Sequence, residues 1–195
     1  MGGGYLADSN TTKRMLAQTL KQQMAHMPFS KIRVSEICAA CGVSRKSFYY
    51  HFRDKYDLVD WIFRSEFISK VRPDRYENAW AFLEDICAYF YRERVFYSAA
   101  IKIYGQNSFL ESFSEAMEPF MQNFLRQIIC SAHNSEFAQN FLTDAFLCSL
   151  VRWLRGPDIL PPERYLDHLR QLLVDLSHHI LFLEGIDTPS KKENA

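Results

Sequence analysis

The side chains best suited to binding a ligand are concentrated between residues 45 and 55. Arg45 and Lys46 can donate hydrogen bonds to guanine O6 and N7, and Ser47 can bond to either type of base. Tyrosine, histidine and lysine side chains can hold phosphate oxygens. Those of this stretch are Tyr49, Tyr50, His51 and Lys55. The group therefore has the chemistry of a nucleic-acid contact.

A short helix is predicted just before this group. Val34, Ile37, Cys38 and Cys41 recur at i, i+3, i+4 and i+7, which places them on one apolar stripe. Gly42 then ends the helix, because glycine enters the left-handed C-cap conformation without steric cost. The pattern therefore predicts a helix followed by a tight turn.

A second helix is predicted from Ser44, whose hydroxyl can accept a hydrogen bond from a free backbone N–H two or three residues on. Phe48 and Phe52 are four residues apart and share the inward side of this helix. The basic, hydroxyl and aromatic side chains between them are therefore left to face outward. Two short helices joined by a glycine turn, with the second helix basic, are typical of a helix-turn-helix that reads DNA.

The flanking segments carry further basic side chains. Lys31 and Arg33 precede the first helix, and a position beside a helix N-terminus aimed at a phosphate backbone favours contact between one of them and DNA. Asp54 is expected to cap the next helix, with Lys55 in its first turn. A lysine there opposes the helix dipole, which indicates that something anionic compensates it.

Charge is distributed unevenly, although the chain is neutral overall. Residues 1–56 hold nine Lys or Arg against three Asp or Glu, a net charge of +6, and residues 57–195 carry −6. DNA responds to the local patch and not to the average over the surface. We therefore predict a DNA-binding domain over residues 1–56 and a second domain over residues 57–195.

The second domain shows helical periodicity without strand-like alternation. Pro119 lies inside an apolar stripe between Phe109 and Ile128, so that helix is expected to be kinked or divided in two. Two late helices, near residues 137–153 and 163–183, have apolar surface to spare, which indicates a homodimer. The prediction is an all-α fold, with a three-helix N-terminal domain and a C-terminal helical bundle that dimerises.

The sequence gives little support for catalysis, metal binding or a membrane span. The six histidines are dispersed, and the chain contains neither G-x-S-x-G nor H-E-x-x-H. Cys38 and Cys41 have the spacing of half a zinc or redox site, but no second ligand pair follows and both lie on the packing stripe, which favours a core role. No stretch has the length of a membrane span, and no signal peptide is recognisable. We expect a cytoplasmic protein that is not an enzyme and needs no cofactor, metal or membrane.

The run KIRVSEICAACGVSRKSFYYHFRDKYDLVDWIF, residues 31–63, resembles the N-terminal domain of the TetR/AcrR regulators. The resemblance rests on the Gly-Val-Ser turn, the Phe-Tyr-Tyr-His-Phe run and the lysine that opens the next helix. It implies a transcriptional regulator that dimerises through its last two long helices. Its two recognition helices would then lie about 34 Å apart on a palindromic operator in double-stranded DNA.

The resemblance also implies a role for each side chain. It assigns base edges to Arg45, Lys46 and Ser47, phosphates to Tyr49, His51 and Lys55, and either role to Tyr50. Relatives usually have a threonine at the position of Arg33, where it caps the helix and bonds to a phosphate. Here either Arg33 supplies a charged phosphate contact in its place or Ser35, which faces the same side as the recognition helix in relatives, helps to satisfy the helix start.

The C-terminal half resembles the subgroup of this family that includes regulators of dihydroxyacetone kinase operons. The segments that carry this resemblance are FYSAAIKIYGQNSFLESF, residues 96–113, and RWLRG, residues 152–156. Relatives enclose a small molecule among these helices, and mixed aromatic and polar side chains suit such cavities. The predicted lining is Phe90, Tyr104, Asn107, Phe113, Met117 and Phe146. Side chains that fill the same space are an equal alternative.

Two kinds of regulator fit these expectations. The first is a repressor whose small-molecule effector changes the spacing of the two recognition helices. The second is a DNA-bound coactivator that senses a partner protein instead of a small molecule. A C-terminal domain without a cavity, with an exposed apolar patch beyond the dimer face, would favour the coactivator.

Overall fold

The computed structural model describes residues 3–72, 75–103, 109–128, 136–156 and 159–183. These ranges contain α-helices and the turns between them, and no strand occurs within them. The helices are α1 (Gly3–Met24), α2 (Val34–Cys41), α3 (Arg45–His51), α4 (Lys55–Glu66), α5 (Ala79–Arg92), α6 (Arg94–Ala100), α7 (Phe109–Ile128), α8 (Glu136–Arg155) and α9 (Pro162–Leu183). The predicted all-α fold is confirmed. None of the described helices has the length and apolar character that a membrane span requires.

The first four helices share one apolar core, in which α1 contacts α2, α3 and α4. The core side chains that solvent does not reach at all include Leu16 and Leu20 of α1, Ile37 of α2, Phe48 of α3, and Leu58 of α4. Helices of eight and seven residues, as α2 and α3 are, have little stability in isolation. Burial of these side chains is therefore what keeps α2 and α3 folded.

The turn between α2 and α3 depends on Gly42, which has a φ of 68° and lies in the left-handed region. The N–H of Val43 donates to the carbonyl of Cys38 at 3.0 Å, the six-residue closure of a Schellman cap. A Cβ atom added at Gly42 would meet no atom within 4 Å. The glycine is therefore required by its backbone conformation and not by a close neighbour.

Helix α4 reaches from the N-terminal core into the C-terminal one. The ring of Phe63 packs against Phe67, the C-cap residue of this helix, with centroids 5.7 Å apart. It also meets Phe109 and Phe113 of α7, at 5.5 and 5.4 Å. Since Leu58 of α4 is buried among α1 to α3, one helix contributes to both cores and links their packing.

In the C-terminal domain, α5 packs against α7 and α9, and α7 packs against α8. Helix α6 is fastened to the end of α8 by two bonds from side chain to main chain. Ser98 Oγ donates to the carbonyl of Leu154 at 2.6 Å, and Arg155 donates to the carbonyl of Ile101 at 2.9 Å. These bonds hold α6 in place although it is only seven residues long.

Pro119 lies within α7, which is one helix from Phe109 to Ile128. The expected division into two helices is wrong, while the kink stays a prediction. Proline removes the N–H that would bond to the Glu115 carbonyl. Both residues are exposed, so water can satisfy that carbonyl and the helix continues past the proline.

An ion-pair cluster ties the two domains together. Lys21 Nζ of α1 lies 2.8 Å from Glu66 Oε2 of α4 and 2.8 Å from Glu93 Oε2, which joins α5 to α6. Burial alone would lower the pKa of Lys21, but the hydrogen bonds and charges of the two carboxylates outweigh it and raise that pKa. The lysine side chain is only 16% exposed, so its charge depends on both partners.

We predict that Gly42→Ala lowers the free energy of unfolding by about 1 kcal/mol, the cost of the left-handed conformation for a residue with a Cβ. Gly42→Asn, the matched variant, should cost less, because asparagine tolerates this conformation better than other residues. Urea denaturation of the three proteins measures the difference. An alanine variant as stable as the wild type would contradict the role given to this turn.

We predict that Lys21→Met lowers the free energy of unfolding at pH 7 by about 2 kcal/mol. The change leaves two carboxylates facing each other without a counter-charge, and the figure lies below that for a fully buried pair because both partners are partly exposed. Lys102→Met, at an exposed lysine, is the control and should change stability by less than about 0.5 kcal/mol. Equal effects of the two substitutions in urea denaturation would rule out the cluster as a tie between domains.

Candidate nucleic-acid interface

Helix α3 is fixed in its rotation by its cap and by its buried side. Ser44 Oγ accepts a hydrogen bond from the N–H of Ser47 at 3.1 Å, as predicted for the cap. Phe48 and Phe52 are 0% and 3% exposed, as predicted for the inward side. With these three positions set, the other side chains of α3 have a defined direction away from the core.

The outward side of α3 carries the side chains predicted to meet DNA. The exposed ones are Arg45, Lys46, Tyr49 and Tyr50, and the half-buried ones are Ser47 and His51. We call these six residues the α3 face. Tyr50 is 73% exposed, and its ring packs edge-on against that of His51 at 5.0 Å. Two cations, two phenols, a hydroxyl and an imidazole thus occupy one short surface.

The start of α2 lies next to the α3 face in sequence and carries Arg33 and Ser35, both exposed. The N–H of Arg33, the N-cap residue of α2, donates to Glu36 Oε2 at 2.9 Å. The two alternatives for this helix start were a phosphate contact by Arg33 and a contribution from Ser35, and neither included Glu36. A glutamate at the third helical position is half of a capping box, and that spacing could have identified it. The Arg33 guanidinium has only donors, so it cannot accept from the N–H groups at the start of α2.

Lys55 opens α4, and Asp54 caps that helix as predicted, accepting from the N–H groups of Tyr56 and Asp57 at 2.8 and 2.9 Å. The Lys55 ammonium donates to the carbonyls of Phe29 and Ile32, at 2.7 and 2.8 Å. Carbonyl dipoles therefore provide the negative charge that a lysine at this position requires. The phosphate contact of Lys55 stays a prediction.

The surface around the α3 face is basic. The exposed cations of residues 31–53 are Lys31, Arg33, Arg45, Lys46 and Arg53. Arg53 follows α3 directly, and its side chain is 79% exposed. Such a surface can donate hydrogen bonds to base edges through arginine and lysine, and to phosphate oxygens through all of its cations.

Cys38 and Cys41 are part of the packing of α2. Cys38 is buried, and burial followed by the neighbouring Cys41 raises the pKa of its thiol. The Cys41 thiol donates to the carbonyl of Ile37 at 3.2 Å. Among the described residues, no group of three His, Cys, Asp or Glu side chains could hold a metal ion. The buried Cys38 and the partly buried Cys41 thus belong to the packing of α2.

The residues predicted to line an effector cavity lie in the packed core where the structure describes them. Phe90, Phe113 and Met117 are 0% exposed, and Phe146 is 7% exposed. The rings of Phe90 and Phe113 meet at 5.4 Å, and Phe90 also meets Tyr97 at 4.8 Å. Tyr104 and Asn107 lie outside the described residues. Phe90, Phe113 and Tyr97 thus pack together, and the effector cavity stays a prediction.

Two family models match the chain. Residues 18–62 match the bacterial regulatory proteins of the tetR family, and residues 77–175 match a transcriptional regulator C-terminal region. A curated relative is the HTH-type dhaKLM operon transcriptional activator DhaS of Lactococcus lactis subsp. lactis (strain IL1403). It is 26% identical over 69 residues, which make up 35% of this chain and 37% of the relative. The match therefore spans little more than a third of the relative's length.

Two solved structures share the fold. One is a TetR transcriptional regulator from Streptococcus agalactiae 2603V, with a TM-score of 0.66 and 20% identity over 83% of this chain and 93% of that one. The other, a dihydroxyacetone kinase operon activator DhaS, has a TM-score of 0.60 and 20% identity over 85% of this chain and 96% of that one. The second family model alone covers just over half of the chain. With a helix-turn-helix at its N-terminus and a family match in each domain, the chain belongs to the TetR family of transcriptional regulators.

Proposed function

We propose that this regulator binds a palindromic operator in double-stranded DNA as a homodimer, with one α3 face in the major groove of each half-site. The observation that carries the proposal is the exposure of Arg45, Lys46 and Tyr50 on a helix whose opposite side is locked by Phe48 and Phe52. Because the helix is rigid and its donors lie on one side, it can contact base edges with little loss of side-chain and backbone freedom.

The role assignments follow from the positions on α3. Arg45 and Lys46 occupy its first two residues, and the N-terminal residues of a recognition helix are those that contact base edges. Tyr49 and His51 lie further along and suit phosphates, together with Arg33 and Ser35 at the start of α2. The second group positions the protein on the duplex, and the first group selects the sequence.

Dimerisation is proposed through α8 and α9, whose described side chains include four large apolar ones that are exposed. Phe137 and Phe141 of α8 are 79% and 61% exposed, and their rings stack at 6.2 Å. Leu172 and Val174 of α9 are 54% and 42% exposed. Exposed apolar side chains such as the stacked Phe137 and Phe141 are typical of a site that another chain covers. Because the dimer is symmetric, the same four residues of a second copy would meet them.

The first candidate for regulation is repression that a small-molecule effector relieves by changing the distance between the two α3 faces. Helix α4 supports this route, since Phe63 and Phe67 join the C-terminal core to the helix that begins beside α3. The coupling must be reciprocal, so an effector that weakens DNA binding is itself bound less tightly by the DNA-bound dimer.

The second candidate is a DNA-bound coactivator that senses a partner protein. The packed rings of Phe90, Phe113 and Tyr97 support it, because two of the residues predicted to line a cavity, Phe90 and Phe113, contact each other. The DhaS relative is itself named an operon activator. Transcription from a promoter that carries the operator, with the regulator alone, separates the two candidates: repression without further components supports the first, and no effect without a partner supports the second.

Selection of random duplex DNA by the purified protein tests the proposal. We expect enrichment of a palindrome whose half-site centres lie about 10 base pairs apart, or a multiple of that spacing. Anisotropy titration of the selected duplex at two salt concentrations should show a steep loss of affinity as salt rises. Absence of any enriched sequence would contradict binding by the protein alone and would move the coactivator to first place.

We predict that Arg45→Ala weakens binding to the selected duplex by about 1–3 kcal/mol and weakens binding to a scrambled duplex much less. Arg53→Ala removes the same charge from a side chain that lies beyond α3, so its effect should be equal on the two duplexes. Anisotropy titrations of both variants on both duplexes measure the contrast. Equal losses for Arg45→Ala on matched and scrambled DNA would exclude base contact by Arg45.

We predict that the double substitution Phe137→Glu and Phe141→Glu converts the dimer to monomers in sedimentation velocity at micromolar concentration, because it places charge in the apolar patch. Val95→Glu, at a valine of α6 that is 56% exposed, is the control and should leave the dimer intact. Circular dichroism verifies that all variants remain folded. A folded double variant that still sediments as a dimer would place the interface elsewhere.

A further inference from the structure

We propose that Lys55 is a positioning residue of the DNA-binding surface: its ammonium fastens the segment before α2 to the start of α4 and thereby sets the place of Arg33 and of the α2 N-terminus. The segment in question is residues 25–33, here called the α1–α2 connection. The inference rests on the proposed DNA-binding function, and it gives Lys55 a task inside the protein in place of a phosphate contact.

The ammonium sits in a cage of main-chain oxygens. Its Nζ atom lies 2.7 Å from the carbonyl oxygen of Phe29 and 2.8 Å from that of Ile32, with the carbonyl oxygen of Ser30 at 3.5 Å. The Phe29 ring closes one side, with its centroid 4.4 Å from Nζ. An ammonium has three donors. Two are used in short bonds and the third is directed at a longer one, so a phosphate oxygen would have to replace an existing partner.

The main-chain carbonyl oxygens around Lys55 Nζ favour a bound cation. Residues Phe29–Lys31 form a 3-10 turn that Ile32 ends, and the Phe29 carbonyl, which accepts from the Ile32 N–H at 3.1 Å, keeps a second lone pair for a cation. A lysine ammonium near such an end is favourable, because it satisfies the carbonyls and opposes the local dipole. The same ammonium at the first residue of α4 would otherwise be repelled by that helix's N-terminus. Hydrogen bonds from Lys55 of α4 to the α1–α2 connection therefore satisfy these carbonyls and offset the repulsion between the ammonium and the N-terminus of α4.

The environment of Lys55 is one that a mobile surface lysine does not have. Burial lowers the pKa of Lys55, and the charge of Glu36 opposes that shift. The side chain extends over Phe29 and lies near the Tyr56 ring, whose centroid is 5.9 Å from Nζ. The rings of Phe29 and Tyr56 in turn meet edge-on at 5.0 Å. Withdrawal of the ammonium toward DNA would therefore disrupt packing as well as hydrogen bonds.

The tie closes a loop that contains the entire DNA-binding surface. Lys55 and Ile32 are 23 residues apart, and α2, the Gly42 turn and α3 all lie between them. Arg33 follows Ile32 directly and is the cap residue of α2. With the Ile32 carbonyl held, the direction of the Arg33 backbone is fixed, and so is the approach of α2 to the phosphate backbone. Loss of the Lys55 hydrogen bonds should therefore displace Arg33 and weaken DNA binding.

Lys55→Arg distinguishes positioning from phosphate contact. Arginine keeps the charge and binds phosphate at least as well as lysine, so a phosphate contact predicts wild-type affinity for the selected duplex. A planar guanidinium does not fit a compact cage of three carbonyls around one nitrogen. We therefore expect Lys55→Arg and Lys55→Met each to weaken binding by about tenfold. Wild-type affinity of Lys55→Arg would overturn the proposal.

A double-mutant cycle tests whether Lys55 acts through Arg33. If it does, Lys55→Met should cost several-fold less affinity in the Arg33→Ala background than in the wild type. Lys46→Ala, at a cation of the α3 face outside the connection, is the matched background in which Lys55→Met should keep its full effect. Independent, additive effects of Lys55→Met and Arg33→Ala would overturn the proposed route.

A third measurement does not need DNA. Hydrogen exchange of the free protein should accelerate at the amides of residues 29–33 in Lys55→Arg, while α5 to α8 exchange at the wild-type rate. If the wild type fails to select any DNA, the proposed function fails, and this measurement still decides whether Lys55 holds the connection. Unchanged exchange at residues 29–33 would overturn the positioning role whatever the outcome with DNA.

Discussion

Burial of Phe48 and Phe52 on one side of α3 is the constraint on which the rest of the DNA-binding domain depends. A helix of seven residues does not persist in water without such packing. The Phe52 ring meets Trp61 of α4 edge-on at 5.8 Å, so α3 is held by the helix that follows it as well as by α1. Because these two side chains are buried, Arg45, Lys46 and the tyrosines face outward.

Helix α4 and the ion pairs of Lys21 link the two domains. Helix α4 begins beside α3, where Lys55 holds the α1–α2 connection, and ends in the aromatic cluster of Phe63 and Phe67. Lys21 adds a second link from α1 to α4 and to the α5–α6 junction. Helix α4 and the ion-pair cluster thus join the C-terminal core to the domain that carries the α3 face. That arrangement suits a regulator, since a signal at one end needs a rigid path to the other.

Features encoded by neighbouring residues could be predicted from the sequence, and features made by distant ones could not. The stripe of α2, the left-handed Gly42, the Ser44 cap and the buried Phe48 and Phe52 all follow from local spacing. The partners of Lys55 are 23 to 26 residues away, so the sequence indicated only that its charge needed compensation. Whether Phe90 and Phe113 line a cavity or fill the core could not be predicted either, because the same aromatic residues suit both arrangements.

The central claim, that the basic outward side of α3 and the start of α2 bind DNA, is tested most directly by hydrogen exchange of the protein with and without its selected duplex. The account predicts slower exchange at amides between residues 31 and 51, while amides in the core of α5 and α7 keep the rate of the free protein. Protection confined to α8 and α9, or absent from α3 in a saturated complex, would contradict it.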